Sequence, residues 1–126
     1  MAGQTAPPLR LQNVRVLLVE DESLIGMLLE LAFVEAGATV IGPLSQLEDA
    51  VLAAQEDSFD VAVLDVDLNG KDAYPAADVL EDRGIPFVFH TGHGTKRELR
   101  ASYPTAPVIK KPTPPEEIIT QLAKLV

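Results

Sequence analysis

Apolar positions change period repeatedly along the chain, and each change predicts an element. Val14–Val19 is apolar apart from Arg15 and stops at Glu20-Asp21-Glu22; a short β-branched run bounded like this suits a strand buried on both faces. From Ser23, apolar residues recur at Leu24, Leu28, Leu31 and Ala32, widened by Ile25, Leu29 and Phe33. That spacing predicts a helix whose aliphatic stripe is core, closed by Gly37. Ala38–Ile41 reads as a second strand ended by Gly42-Pro43, and Leu47, Ala50, Val51 and Ala54 mark a second helix. Asp60–Leu64 is a third strand running into Asp65, followed by a weaker helix from Tyr74 to Asp82 with Gly84 as its stop. Ile85–His90 is a fourth strand, Lys96–Ser102 a short polar helix, and Pro107–Lys110 a fifth strand. Pro115–Val126 closes the series as a helix with Ile118, Ile119, Leu122 and Leu125 on its core face.

Five strand–helix units in strict alternation imply a parallel sheet covered on both faces through right-handed crossovers. Five units cannot close an eight-stranded barrel, so the sheet is open and doubly wound. Ligands of such sheets bind beyond the carboxyl ends of the strands, which directs the search for chemistry to the residues after each strand.

Composition narrows the class. With 126 residues, 47% of them hydrophobic and 23% charged, the chain is one domain with a core of its own. A net charge of −9 repels phosphate backbones and argues against direct nucleic-acid binding, while favouring a basic partner face. The absence of cysteine excludes disulfides, thiolate metal sites and cysteine nucleophiles. The apolar runs are too short to span a bilayer. Residues 1–13, with a Pro-Pro pair and no signal-peptide pattern, read as a flexible lead-in to a domain over 14–126. A cytoplasmic protein is expected.

The strand ends carry the chemistry. The first strand ends in Glu20, Asp21 and Glu22, the third in Asp65 with Asp67 two residues on, the fourth in Thr91-Gly92, and the fifth in Lys110-Lys111-Pro112. In a parallel sheet these tips converge on one edge. Gathered carboxylates repel each other unless a cation sits among them, and an all-oxygen donor set favours Mg²⁺ or Mn²⁺. A hydroxyl and an ammonium group opposite a metal-bound carboxylate form a phosphoryl clamp. A carboxylate can itself accept the phosphoryl group covalently. The pattern points to divalent-metal-dependent phosphoryl transfer onto Asp65.

The stretches VLLVEDE (16–22), VAVLDVDLNG (61–70), FVFHTG (87–92) and IKKP (109–112) together resemble the receiver domain of two-component response regulators, over Val14 to Val126. The resemblance implies a flavodoxin-like, five-stranded parallel sheet of order 2-1-3-4-5 with five helices. It implies that Asp65 is the phosphoacceptor, and that Glu20 and Asp21 hold Mg²⁺ together with Asp65 and the backbone carbonyl of Asp67. Thr91 would hydrogen-bond a phosphoryl oxygen and Lys111 would pair with the phosphoryl group, ahead of a cis Lys111-Pro112 peptide. Lys110, one place earlier, would point elsewhere. The phosphoryl donor would be a histidine kinase or a histidine phosphotransfer protein. Output would pass through contacts with a downstream protein, by a monomer or a phosphorylation-dependent dimer. The start at Met1 suggests a stand-alone receiver over a fragment of a longer regulator.

Three departures bear on output. Val108 stands where the family often has an aromatic switch residue, so a ring flip at that position cannot carry the signal; a change in loop and fourth-helix order over 91–104 is expected instead. The fourth-strand tip is similar to that of a receiver subgroup common in alphaproteobacteria. Asn69 stands where many receivers have proline. His90 and His93 lack a third nitrogen or sulfur ligand for zinc; His93 and Asp67 are expected to tune the lifetime of the acyl phosphate. Two other functions remain. Asp65-Val66-Asp67-Leu68-Asn69 resembles the nucleophile motif of haloacid-dehalogenase-type phosphatases, although here the acidic pair precedes it. A phosphorylation-independent docking module would normally have lost one of the acidic pair, the aspartate or the lysine, and none is missing.

Overall fold

The structure, a computed structural model, describes residues 9–92 and 96–126. Strands β1 (Arg15–Val19), β2 (Thr39–Leu44), β3 (Val61–Asp65), β4 (Phe87–Thr91) and β5 (Val108–Lys110) alternate with helices α1 (Ser23–Glu35), α2 (Leu47–Glu56), α3 (Tyr74–Arg83), α4 (Lys96–Ser102) and α5 (Pro115–Leu125). The five strands form one parallel sheet in the order β2-β1-β3-β4-β5; the alternation predicts the parallel sheet, and the family resemblance implies its order. A two-residue antiparallel ladder, 67–68 against 71–72, follows β3; its strands are too short to leave an alternation signal.

Side-chain alternation along the strands divides the core in two. Leu17, Leu64, Phe87 and Phe89 face one side, packed with Ala50 and Ala54 of α2, Ala77 and Leu80 of α3 and Leu99 of α4. Val16, Leu18, Val61, Val63 and Val88 face the other, under Leu29 and Phe33 of α1 and Ile118 and Leu122 of α5. No helix among the described residues is long and apolar enough to cross a membrane.

Three expectations need correction. The stripe on α1 is not all core: Leu24, Leu28 and Leu31 are 67%, 52% and 57% exposed, and Met27 and Val34 are exposed beside them. A single helix lying on a sheet buries only an arc of its surface. Here that arc is Gly26, Leu29 and Phe33, with Gly26 so close to Pro43 that a Cβ would come within 3.1 Å of its ring. The second strand does not stop at Gly42-Pro43 but runs through it to Leu44. Gly42 adopts φ +112°, and the register slips there, from Leu17 opposite Ile41 to Val19 opposite Leu44. β2 is an edge strand, so Pro43 removes no ladder hydrogen bond, and glycine supplies the dihedral of the bulge. Leu11, read as lead-in, is fully buried, with its N–H donating to Ala36 O at 2.8 Å.

The β2 bulge continues the ladder beyond β1: Glu20 N–H donates to Leu44 O at 2.8 Å, fixing the backbone of the first acidic residue. A Cβ on Gly42 would lie 2.4 Å from Leu18 O, whereas one on Gly84, also at positive φ, would meet open space. Gly42→Ala is therefore expected to destabilise the domain by about 3 kcal/mol, and Gly84→Ala by about 1 kcal/mol, in urea unfolding.

Candidate functional site

Four strand ends meet at one edge of the sheet. Glu20 and Asp21 follow β1, Asp65 ends β3, Thr91 ends β4, and Lys111 follows β5. The Lys111 N–H donates to Thr91 O at 2.7 Å, which ties the lysine's backbone to the end of β4. The Lys111-Pro112 peptide is cis. Lys110 lies opposite Thr91 in register and is exposed.

The lysine ammonium is the centre of the cluster. Lys111 Nζ lies 3.0 Å from Glu20 Oε2, 3.0 Å from Asp65 Oδ2 and 3.4 Å from Glu22 Oε2. Glu20 and Asp65 are buried, with 2% and 4% of their surface exposed, as is Thr91. Glu20, Asp21 and Asp65 each offer a carboxylate oxygen within 4.8 Å of the others, a donor set suited to a hard divalent cation. A cavity of about 100 Å³ opens above them, lined by Asp21, Asp65, Asp67, Thr91, Gly92 and Lys111.

The surrounding backbone holds the carboxylates in place. Asp65 Oδ1 accepts from Asp67 N–H at 3.2 Å, and Glu20 Oε2 accepts from Glu22 N–H at 3.2 Å. Asp21 Oδ2 accepts from the Asn69 N–H at 3.0 Å. Asn69 sits at φ +55° and its side-chain amide donates to Ser45 O. Proline at this position would have neither an N–H nor access to that dihedral, so the departure at Asn69 has a structural use: its backbone orients Asp21. The Asn-Gly dipeptide signals this turn in the sequence; its bond to Asp21 links residues too far apart in the chain to be read there. Asp67 is exposed, and its Oδ1 accepts from Gly70 N–H at 2.9 Å, closing the same turn. His93 lies outside the described residues.

One ammonium cannot balance three clustered carboxylates. Burial raises the Asp65 carboxyl, and Glu20 and Asp21 raise it further, to about 8, against the opposing pull of Lys111. Burial also raises Glu20, but the donors facing it, His90, protonated Asp65 and Lys111, outweigh this and hold it at about 2. Burial would lower Lys111, yet Glu20 and Asp65 hold its ammonium form well past the usual lysine range. Without a metal, the pair retains one proton on the Asp65 side at neutral pH.

At the far side of β4, Tyr103 is buried and its hydroxyl donates to Asp78 Oδ1 at 2.7 Å. Its ring packs against Phe89, Tyr74 and Phe87 with centroids 5.2, 5.9 and 6.0 Å apart. Val108, half-buried on β5, packs against this cluster.

The profile of the response regulator receiver domain matches residues 16–123, and the chain belongs to that family. It is similar to SdrG from Sphingomonas melonis Fr1, with 34% identity over 90% of this chain and 96% of that one, at a TM-score of 0.76. A response regulator receiver protein from Sinorhizobium medicae WSM419 shares 25% identity over 91% of this chain and 95% of that one, with a TM-score of 0.80. The response regulator PhyR from Brucella abortus shares the fold at 23% identity and a TM-score of 0.77, with 94% of this chain matched to 50% of that one. No curated protein matches the chain.

A carboxyl protonated when folded and ionised when unfolded stabilises the fold at low pH. That contribution is lost as pH rises from the ordinary aspartate range through about 8. Asp65→Asn, neutral at every pH, is therefore expected to melt above the wild type at pH 8 without divalent cations, by about 4 °C or more. At pH 4 the two should melt together. Equal melting at both values would contradict the raised carboxyl.

Proposed function

We propose that the chain is a phospho-switchable receiver that takes a phosphoryl group onto Asp65 from a phosphohistidine donor in a Mg²⁺-dependent reaction. The observation that carries this reading is the shared ammonium: Lys111 Nζ is equidistant from Asp65 Oδ2 and Glu20 Oε2 in a buried acidic group. Glu20, Asp21 and Asp65 fit a Mg²⁺ or Mn²⁺ site by donor type and spacing, with the Asp67 carbonyl as a further oxygen ligand. When bound, such an ion neutralises charge on the transferring phosphoryl group.

Asp65 attacks phosphorus in its ionised form. An oxygen–phosphorus bond forms as the donor's nitrogen–phosphorus bond breaks, and the leaving imidazole takes up a proton. Lys111 leaves its carboxylate partners and pairs with a phosphoryl oxygen, and the Thr91 hydroxyl donates to another. Engagement of Thr91 shifts a two-state equilibrium on the α4–β5–α5 face. With Val108 on β5, output rests on the order of α4 and not on a ring flip at that position. Tyr103, held by Asp78 and three aromatic rings, anchors the far end of α4.

The exposed side of α1 supports a place for the donor. Leu24, Leu28 and Leu31 are more than half exposed, and Ile25, Leu28 and Leu29 border a cavity of about 400 Å³ that reaches Lys111 and Pro112. A contiguous apolar face beside the site suits a partner helix. The acidic rim favours a donor with basic residues around its histidine.

Acetyl phosphate with Mg²⁺ is expected to label the wild-type chain, and Asp65→Asn is expected to remain unlabelled. Chelation of the metal should abolish labelling. Failure of the wild type to label would overturn the reading in favour of a phosphorylation-independent docking module. Sustained turnover of p-nitrophenyl phosphate would favour the phosphatase reading. Leu28→Glu with Leu31→Glu should leave acetyl phosphate labelling intact while slowing transfer from a histidine kinase at least about tenfold.

A further inference from the structure

His90 stands out among the interior residues of β4. It is 2% exposed, and among the described residues neither ring nitrogen has a hydrogen-bond partner. Its β4 neighbours Phe87, Val88 and Phe89 are apolar and buried, and an aliphatic side chain would fill the position without burying unpaired polar atoms. The imidazole sits directly beside the site. His90 is the register partner of Asp65 across β3 and β4, and its Nδ1 lies 3.6 Å from Glu20 Oε1. That is about 0.7 Å beyond a usual N–H···O bond.

The two oxygens of Glu20 are served differently. Oε2 accepts from Lys111 Nζ and from Glu22 N–H, while Oε1 faces His90. Lys111 also binds Asp65 and Glu22, and an ammonium turned toward a phosphoryl group cannot keep all three carboxylates. Glu20 is buried, so on losing the lysine it needs another donor to hold its orientation.

We propose that His90 is a positioning residue for Glu20: its Nδ1–H closes onto Oε1 and keeps the carboxylate aimed at the cation site, both with Lys111 in place and after it turns to the phosphoryl group. The inference rests on the metal reading under Proposed function and concerns a residue outside the set of groups that touch the ion or the phosphoryl group.

Mn²⁺ affinity of the full chain without a phosphodonor, measured by calorimetry, tests it. His90→Leu and His90→Phe fill the site without a donor, whereas His90→Asn places a side-chain N–H close to the position of Nδ1. Circular dichroism verifies that each variant compared is folded. The two apolar variants are expected to bind Mn²⁺ about tenfold more weakly than the wild type, and His90→Asn to recover most of that loss. Apolar variants that bind as tightly as the wild type, or an asparagine variant no better than they are, would overturn the role of His90 and leave the metal reading standing. A wild type that binds no Mn²⁺ would overturn both. Nitrogen-detected NMR of the Mg²⁺-loaded wild type gives a second readout: a proton on Nδ1 is expected, and a bare Nδ1 would overturn the proposal.

Discussion

The structure turns on an ammonium held between two buried carboxylates. Lys111 reaches Glu20 and Asp65 at 3.0 Å each, and without it two acidic side chains with less than 5% exposure would face each other uncompensated. Buried pairs of this kind are poor sources of stability, because desolvation offsets much of their attraction. Their value lies in what they leave unsatisfied. Three carboxylates with one resident cation have room for a second positive ion, and in the proposed reaction an aspartate held up near pH 8 would become a nucleophile only when that charge arrives. Metal dependence in the proposed reaction thus follows from the charge balance of Glu20, Asp21, Asp65 and Lys111.

The fold supplies the cluster through backbone devices as much as through side chains. The Gly42 bulge lets β2 pair one residue past β1 and fix Glu20. The left-handed Asn69 turns its N–H toward Asp21, and the Lys111 N–H bonds the end of β4. Each acts on a different member of the site, so one edge of a parallel sheet can place residues from positions 20 to 111 within a few ångströms. The region to which output is proposed to pass is built differently from the site. With Val108 on β5, the aromatic mass of this region lies in Tyr103, Tyr74, Phe87 and Phe89, behind β4.

Much of this was legible in the order of residues, for a physical reason. Strands of a parallel sheet are short apolar runs, and the first polar residues after them must emerge at the same edge; that rule gathers Glu20, Asp21, Asp65, Thr91 and Lys111 with their neighbours, and the family resemblance picks Lys111 over Lys110. Other features were hidden. The face of α1 that meets the sheet cannot be picked out of a helix that is apolar nearly all round, and only Gly26, which allows contact with Pro43, marks the buried arc. The course of β2 through Gly42-Pro43 depends on its being an edge strand, a property of the assembled sheet. His90, without the partners for a zinc site, owes its place beside the acidic group to register pairing with Asp65, which only the assembled sheet shows.

The central claim, a buried acidic group short of one positive charge, is tested most directly by counting protons. Mg²⁺ binding measured calorimetrically at pH 7 in buffers of different ionisation enthalpy reports the number released. The charge balance predicts about one proton lost per Mg²⁺ bound, falling toward none at pH 9. Identical heats in all buffers at pH 7, with saturable Mg²⁺ binding, would contradict it.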